Sequence, residues 1–358
     1  MEQTITVKMK LLPTKDQALI LQTMSGAYIQ TINTLLAEMV TNQASTKKTS
    51  KDVDVPLPSA VKNQAIKDAK SVFKKVKKRK YERIPVLKKP VCIWNNQNYT
   101  VDQKHLSFPL MIDGKATKTA IRCVFSDKKD RISHLLSHKL GTLRITQKAG
   151  KWMAQIAVTI LIEKRTGSKQ MGVDLGLKVP AVAVTDDGTT RFFGNGRENK
   201  YKKRAFRSVR KKLGEKKKIT AVRNLDDKEQ RWMKNQDHKI SREIVDFAKE
   251  HDISVIRLEK LANIRQTART SRKNEKNLHT WSFYRLSQFI EYKANLAGIQ
   301  VEYVNPRYTS QICPNCTKKN KAKDRLYKCS CGFETHRDRV GAMNIRYAPV
   351  IDGHSQSA

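Results

Sequence analysis

Acidic residues are scarce in this chain. Its 358 residues include 33 Asp+Glu against 72 Lys+Arg, a formal net charge of +39. A compact protein repels itself at that charge unless a polyanion neutralises it. Nucleic acid is the expected partner, because Lys and Arg bind phosphate through the release of counterions. Long apolar runs are also missing. None approaches the ~20 residues of a spanning helix, so a membrane-spanning helix is not expected here. The opening MEQTITVKMKLLPTKDQ has no apolar core followed by a cleavage site, so no signal peptide is expected. Cysteine is sparse, six residues in all, and four of them crowd between positions 313 and 331. That distribution speaks against a disulfide scaffold and for a bound metal. Cys92 and Cys123 stand alone and read as buried free thiols.

Hydrophobic residues, at 39%, suffice for real cores, and the length suits two or three domains. Thr4 to Leu12 alternates as a strand. Thr14 with Gln17 three residues later has the spacing of a capping box, so a helix is expected to about Met39. A polar loop with two prolines follows. Residues 60–83 read as a second helix dense in cations: Lys74, Lys75, Lys77, Lys78, Arg79 and Lys80. So much charge on one short stretch suits a polyanion better than a merely solvated face. Residues 84–163 read as short alternating strands, and a small barrel with the two helices inserted is the expected form.

A new pattern starts at Met171. MGVDLGL, AVAVTDD and TTRFFG are three strands, with a tight Asp187-Gly188 hairpin between the last two. A basic helical stretch from Lys200 to about Lys249 includes Arg204, Arg207, Arg210, Lys211 and Lys212. DISVIRLEKL then reads as a strand, WSFYRLSQFIEYKANLAG as a helix ending at Gly298, and IQVEYVN as a strand. Phe283, Leu286, Ile290, Ala294 and Ala297 recur at helical spacing and read as core.

An acidic residue inside an apolar strand is costly unless a cation meets it. Asp174 lies in GVDLG, with Gly176 leaving room beside it, and Glu259 ends ISVIRLE. Asp338 lies at or near a helix start in HRDRVGAMNI. Asp186 and Asp187 read as turn chemistry. Three carboxylates brought together can hold two Mg²⁺, and ions about 3.5–4 Å apart clamp an in-line phosphodiester displacement. A three-strand meander with the order Asp, Glu, Asp is the layout of a ribonuclease-H-like nuclease. Cys313 and Cys316 form C-x-x-C, and Cys329 and Cys331 form C-x-C, twelve residues apart. Four thiolates at such spacing suit one structural Zn²⁺, with His336 as an alternative ligand.

Together these residues resemble TnpB, the RNA-guided DNA endonuclease of bacterial insertion sequences and a relative of the miniature type V CRISPR nucleases. The likeness runs nearly end to end, through KMKLLPTKDQ, GVDLGLK, IRLEKL, WSFYRLSQFIEYKANLAGIQVEYVNPRYTSQICPNC and RDRVGAMNI. Two wordings depart from the common pattern: His336-Arg337-Asp338-Arg339-Val340, and a second cysteine pair one residue short.

The resemblance implies an α+β multidomain protein. Residues 1–12 and 84–166 would form a β-barrel wedge domain, with a helical recognition insertion at 13–83. Residues 167–311 and 335–350 would form an α/β ribonuclease-H-like RuvC nuclease domain, interrupted by a zinc ribbon at 312–334 and followed by a tail at 351–358. It carries over Asp174, Glu259 and Asp338 as Mg²⁺-binding catalytic residues, and Cys313, Cys316, Cys329 and Cys331 as zinc ligands. It implies a guide RNA, double-stranded target DNA beside a short motif, and a cytoplasmic, nucleoid-associated setting in a prokaryote; a monomer is favoured, with the oligomeric state left open. The basic helices at 64–89 and 200–223 would then meet guide RNA and heteroduplex. Three rivals remain at this point. A nuclease-dead RNA-guided repressor would lack a carboxylate. A non-catalytic zinc-ribbon RNA-binding protein would not need Asp174 and Glu259 in strands. A strand-joining transposase would want Glu in the last position.

Overall fold

The computed structural model describes residues 2–80, 82–125, 130–148, 150–225, 227–261, 282–322 and 324–352. Contacts divide the chain into two compact units, one from Glu2 to Leu161 and one from Ile162 onward.

The first unit is built on β1 (Glu2–Leu12), whose odd positions Val7, Met9 and Leu11 are buried while its even ones face out. Period-two alternation of this kind gives a strand one core face. Two helices follow, α1 (Lys15–Thr41) and α2 (Ser59–Lys78). The capping box expected at Thr14 and Gln17 is present in both directions. Tyr28 on α1 donates to Asp68 on α2 at 2.7 Å, tying the pair over their shared apolar seam. The strands β2 (Val91–Trp94), β3 (Thr100–Val101), β4 (His105–Ile112), β5 (Lys115–Phe125), β6 (Lys139–Lys148) and β7 (Lys151–Leu161) complete the unit, with α3 (Asp130–Ser137) before β6.

Sheet order is β2-β6-β7-β1-β5-β4-β3. The first strand therefore joins the later ones near the sheet's middle, with the helices inserted between, as the alternation of residues 4–12 suggests. The ladder is open, a half-barrel with β2 and β3 at its ends, where a closed barrel was expected. Cys92 and Cys123 are buried free thiols on β2 and β5, and burial raises the Cys123 thiol to about 11.

Two boundaries differ from the sequence reading. The second helix stops at Lys78 rather than Arg83. Lys80 takes a left-handed backbone, φ 50°, and Pro85 and Pro90 follow, each steering its predecessor away from helix. The resemblance implies a wedge reaching residue 166, but the Arg165 amide donates to the Gly298 carbonyl at 2.9 Å and Arg165 belongs with the second unit.

The second unit is a six-stranded sheet in the order β10-β9-β8-β11-β12-β15. Its strands are β8 (Gln170–Leu175), β9 (Ala181–Val184), β10 (Thr190–Phe193), β11 (Val255–Glu259), β12 (Gln300–Val304) and β15 (Val350–Asp352). Strands β8, β11 and β12 are parallel, and β8, β9 and β10 form the antiparallel meander. The β9–β10 turn uses Gly188 at φ +83°, with Asp187 accepting the Thr189 amide at 2.9 Å, so the turn reading of Asp187 holds. Strand β15 was unforeseen: Val350–Asp352 is too short for periodicity to show, and it takes in residues assigned to a tail.

The basic helical stretch is built of α4 (Gly196–Glu215), α5 (Ile219–Leu225) and α6 (Lys228–Glu250). The first break falls at Lys216-Lys217-Lys218, where like charges repel and Lys217 sits at φ 52°. One face of the sheet packs on α6 and α7 (Phe283–Leu296). Leu286, Ile290 and Ala294 are buried there, with Phe283 and Ala297 against them, as their spacing suggests. Trp281, read as part of this helix, lies outside the described residues. The ribbon hairpin β13 (Leu326–Lys328) and β14 (Glu334–His336) leads directly into α8 (Arg337–Tyr347).

Replacing Thr14 with Ala removes the hydroxyl that accepts the Gln17 amide and leaves the backbone half of the capping box in place. A loss of about 1 kcal/mol in stability is expected, read as a lower urea midpoint for α-helical circular dichroism.

Candidate active site and metal ribbon

The second unit brings the three predicted carboxylates to one face of its sheet. On β8, Met171, Val173 and Leu175 point into the core beneath α6 and α7, which turns Gly172 and Asp174 to the opposite face. On β11, Ile256 and Leu258 point into the same core, which turns Glu259 to the face of Asp174. The parallel register pairs Leu258 with Val173, so Glu259 and Asp174 stand side by side one step further on.

The third carboxylate arrives on α8, which lies on that second face. Asp338 is the second residue of the helix and is almost wholly buried. Two glycines set the approach of helix to strand. A Cβ on Gly172 would fall 2.0 Å from the Ala342 carbonyl oxygen, and one on Gly341 would fall 2.9 Å from Asp174 Oδ2. Gly176 serves the turn instead: its amide donates to the Pro180 carbonyl at 3.2 Å, and a Cβ there would meet the Val179 carbonyl oxygen at 2.6 Å.

The electrostatics follow from this crowding. Protein packed around Asp174, then the charges of Glu259 and Asp338, push its carboxyl well above the usual carboxylate range. Burial likewise raises Glu259, against a lowering hydrogen bond from the Thr309 hydroxyl. Such a cluster strongly favours a cation, and an all-oxygen donor set suits Mg²⁺. Asp338 meets one now: Arg325 Nη1 lies 2.8 and 2.7 Å from its two carboxylate oxygens.

The ribbon holds the second candidate site. Sγ of Cys313 and Cys331 are 3.7 Å apart, and those of Cys316 and Cys329 are 3.5 Å apart. Among the described residues, these four are the one group of three or more His, Cys, Asp or Glu whose donor atoms all lie within 4.8 Å of one another. The three carboxylates are set wider. The amide of Phe333 pulls the Cys331 thiol down to about 6, toward the thiolate that zinc binds. Gly332 at φ +84° closes the C-x-C knuckle, with its amide donating to the Cys329 carbonyl at 3.0 Å, which is how a pair one residue short still turns. The donor set fits tetrahedral Zn²⁺. His336 stands apart from the thiols as the N-cap of α8, its Nδ1 accepting the Asp338 amide at 3.2 Å.

The cationic positions fall into two groups. On α2, Phe73 and Val76 are buried while Lys74, Lys75, Lys77, Lys78 and Arg79 are all exposed. On α4, Gly196 alone is buried, and Arg204, Arg207, Lys211 and Lys212 are exposed. Arg210 differs, since it donates to Glu229 on α6 and its charge is met within the protein.

The sequence reading missed the residues that position others. Thr309 donates to Glu259, and Asn344 on α8 donates to the carbonyls of Thr309 and Ile312 at 2.6 and 2.7 Å. An Asn closing the small apolar run VGAM of α8 is the visible signal for the second. Arg325 carried no signal among so many cations.

Comparison with known proteins adds kinship. Residues 283–345 match the family model described as Cas12f1-like, TNB domain. A CRISPR-associated endodeoxyribonuclease Cas12f1 of Sulfoacidibacillus thermotolerans is 31% identical over 225 residues, 57% of this chain and 52% of that protein. A TnpB-like protein of Methanocaldococcus jannaschii is 37% identical over 153 residues, 41% of this chain and 54% of that protein. The chain thus spans about half the length of these two relatives. A solved Cas12f1 in complex with sgRNA and target DNA shares the fold, with a TM-score of 0.69 over 97% of this chain and 98% of that one, at 14% identity.

Purified protein should contain about one zinc per chain by elemental analysis, and Cys316→Ser should lose it. Gly172→Ala should cost ~3 kcal/mol in thermal or chemical unfolding, since Ala342 must be driven off the strand. Gly214→Ala, with nothing within 4 Å of the new Cβ, should be neutral or slightly stabilising.

Proposed function

The chain is related to the TnpB-like proteins and the Cas12f nucleases, and on that footing we propose that it is an RNA-guided DNA endonuclease encoded by a transposon. The observation that carries this reading is the meeting of Asp174, Glu259 and Asp338 on one sheet face of a strongly basic protein. Residues 1–12 and 84–161 would act as the wedge, 13–83 as the recognition insertion, and 162–311 with 335–352 as the nuclease body around the ribbon at 312–334. The N-terminal half would read a short motif in duplex DNA next to the target.

Asp174, Glu259 and Asp338 would hold the divalent ions, two Mg²⁺ in this reading. Bound there, Mg²⁺ would supply positive charge for the attacking water and for the leaving oxygen of an in-line displacement. The protein's own part is placement. Strands β8 and β11 fix two carboxylates in parallel register, and α8 delivers the third against them. Thr309 aims Glu259, and Asn344 holds the Thr309 loop to α8. The exposed cations of α2 and α4 would bind the phosphates of guide RNA and heteroduplex. Among the described residues, no recognition helix or finger array stands out as a protein reader of sequence. Base pairing with the guide would supply that discrimination, leaving the protein to hold backbone and shape.

Asp174→Ala, Glu259→Ala and Asp338→Ala should each lower Mg²⁺-dependent cleavage by roughly a thousandfold or more, while guided target binding persists. RNA-stripped protein should bind DNA weakly, with steep salt dependence and little sequence preference. A cleavage assay with two guides tests the reading directly: the cut should move with the guide. A cut that stays in place would make this a nuclease that reads DNA by protein contacts alone.

A further inference from the structure

We propose that Arg325 is a built-in cation that occupies the Asp338 carboxylate and is displaced when a divalent ion enters the three-carboxylate site. The inference rests on the reading of that site as metal-binding.

The geometry of the pair is unusual for arginine. A guanidinium commonly meets a carboxylate with two parallel N–H bonds from two nitrogens. Here the single atom Nη1 lies 2.8 Å from Oδ1 and 2.7 Å from Oδ2. One positive nitrogen midway between both oxygens takes the position of an ion chelated by that carboxylate. It cannot share that position with a metal ion, so one must leave before the other binds.

The surroundings make the side chain the part that moves. The Arg325 carbonyl accepts the Arg337 amide at 2.7 Å, and the next residue, Leu326, pairs with His336 across the ribbon hairpin. Three residues further on, Cys329 joins the thiol cluster. The backbone is therefore pinned on both sides. The side chain is 37% exposed, whereas that of Asp338 is 12% exposed. Arg325 can swing its charge into water while Asp338 stays, held by the His336 cap.

The arrangement also gives the pair a role. Without a cation, Asp174, Glu259 and Asp338 would face one another as like charges in a crowded space. Arg325 neutralises one of them until metal arrives, which keeps the site assembled at the cost of weaker metal binding. An Arg of the ribbon thus reports on the state of the carboxylates, and the ribbon feels whether the site is loaded.

The test is a Mn²⁺ titration of RNA-stripped, full-length protein, with free ion measured by electron paramagnetic resonance. Arg325→Gln removes the competing charge and should tighten Mn²⁺ binding by roughly three- to tenfold. Arg325→Lys keeps a charge and should stay within about twofold of the parent. Zinc content and circular dichroism confirm that each variant is folded, and Asp174→Asn marks the ion bound at the carboxylates by abolishing it. Unchanged or weaker Mn²⁺ binding in Arg325→Gln overturns the proposal, and Arg325 is then a positioning residue for Asp338. Mn²⁺ binding that ignores Asp174→Asn in every variant overturns the carboxylate site itself, and the proposal with it.

Discussion

Everything in the second unit turns on how closely α8 can lie on β8. The helix carries Asp338 and the strand carries Asp174, and the two backbones meet where Gly172 and Gly341 have no side chains. A contact of this kind has no slack, because protein interiors are packed near crystal density. The same surface that buries Ala342 and Val182 therefore fixes the distance between two carboxylates. Stability and chemistry share one set of atoms, and neither can be altered alone.

Much of the site was legible before any coordinates. Apolar strands that carry one acid apiece declared Asp174 and Glu259, because an unpaired charge in such a strand has a high desolvation cost. The cysteine spacing declared the ribbon, and period-two alternation placed β1 in a sheet with later strands. The parts that stayed hidden are those set by partners distant in sequence. Arg325 looks like any other cation until its side chain is seen on Asp338. Thr309 matters because Glu259 lies fifty residues away. Helix ends also escaped, since the turns at Lys80 and Lys217 have no glycine to mark them. The open edge of the first sheet could not be read either, because alternation gives a strand its face but not its neighbour.

The distribution of charge follows a separate logic from the core. Helix α2 buries an apolar stripe and presents its lysines outward, as an amphipathic helix does. Helix α4 has almost no buried face, and its ties are polar, such as Arg210 with Glu229 and Lys202 over the Trp232 ring at 5.9 Å. A helix with so little apolar burial draws little of its stability from the core. The ribbon takes the opposite course: Cys313, Tyr327 and Val340 form a small apolar nucleus that belongs equally to the hairpin and to α8.

The spacing of the three carboxylates along the chain has a consequence for where the chain can lengthen. Residues 174, 259 and 338 are brought together across long intervals, so the site exists only where segments distant in sequence meet. Yet the intervals themselves bear little on the geometry, because the entropy of closing a loop grows only slowly with its length. Segments between β8 and β11, or between β12 and α8, can lengthen or shrink while the anchors stay in register. A chain built this way can take insertions of different length between those anchors without disturbing the acids at its centre.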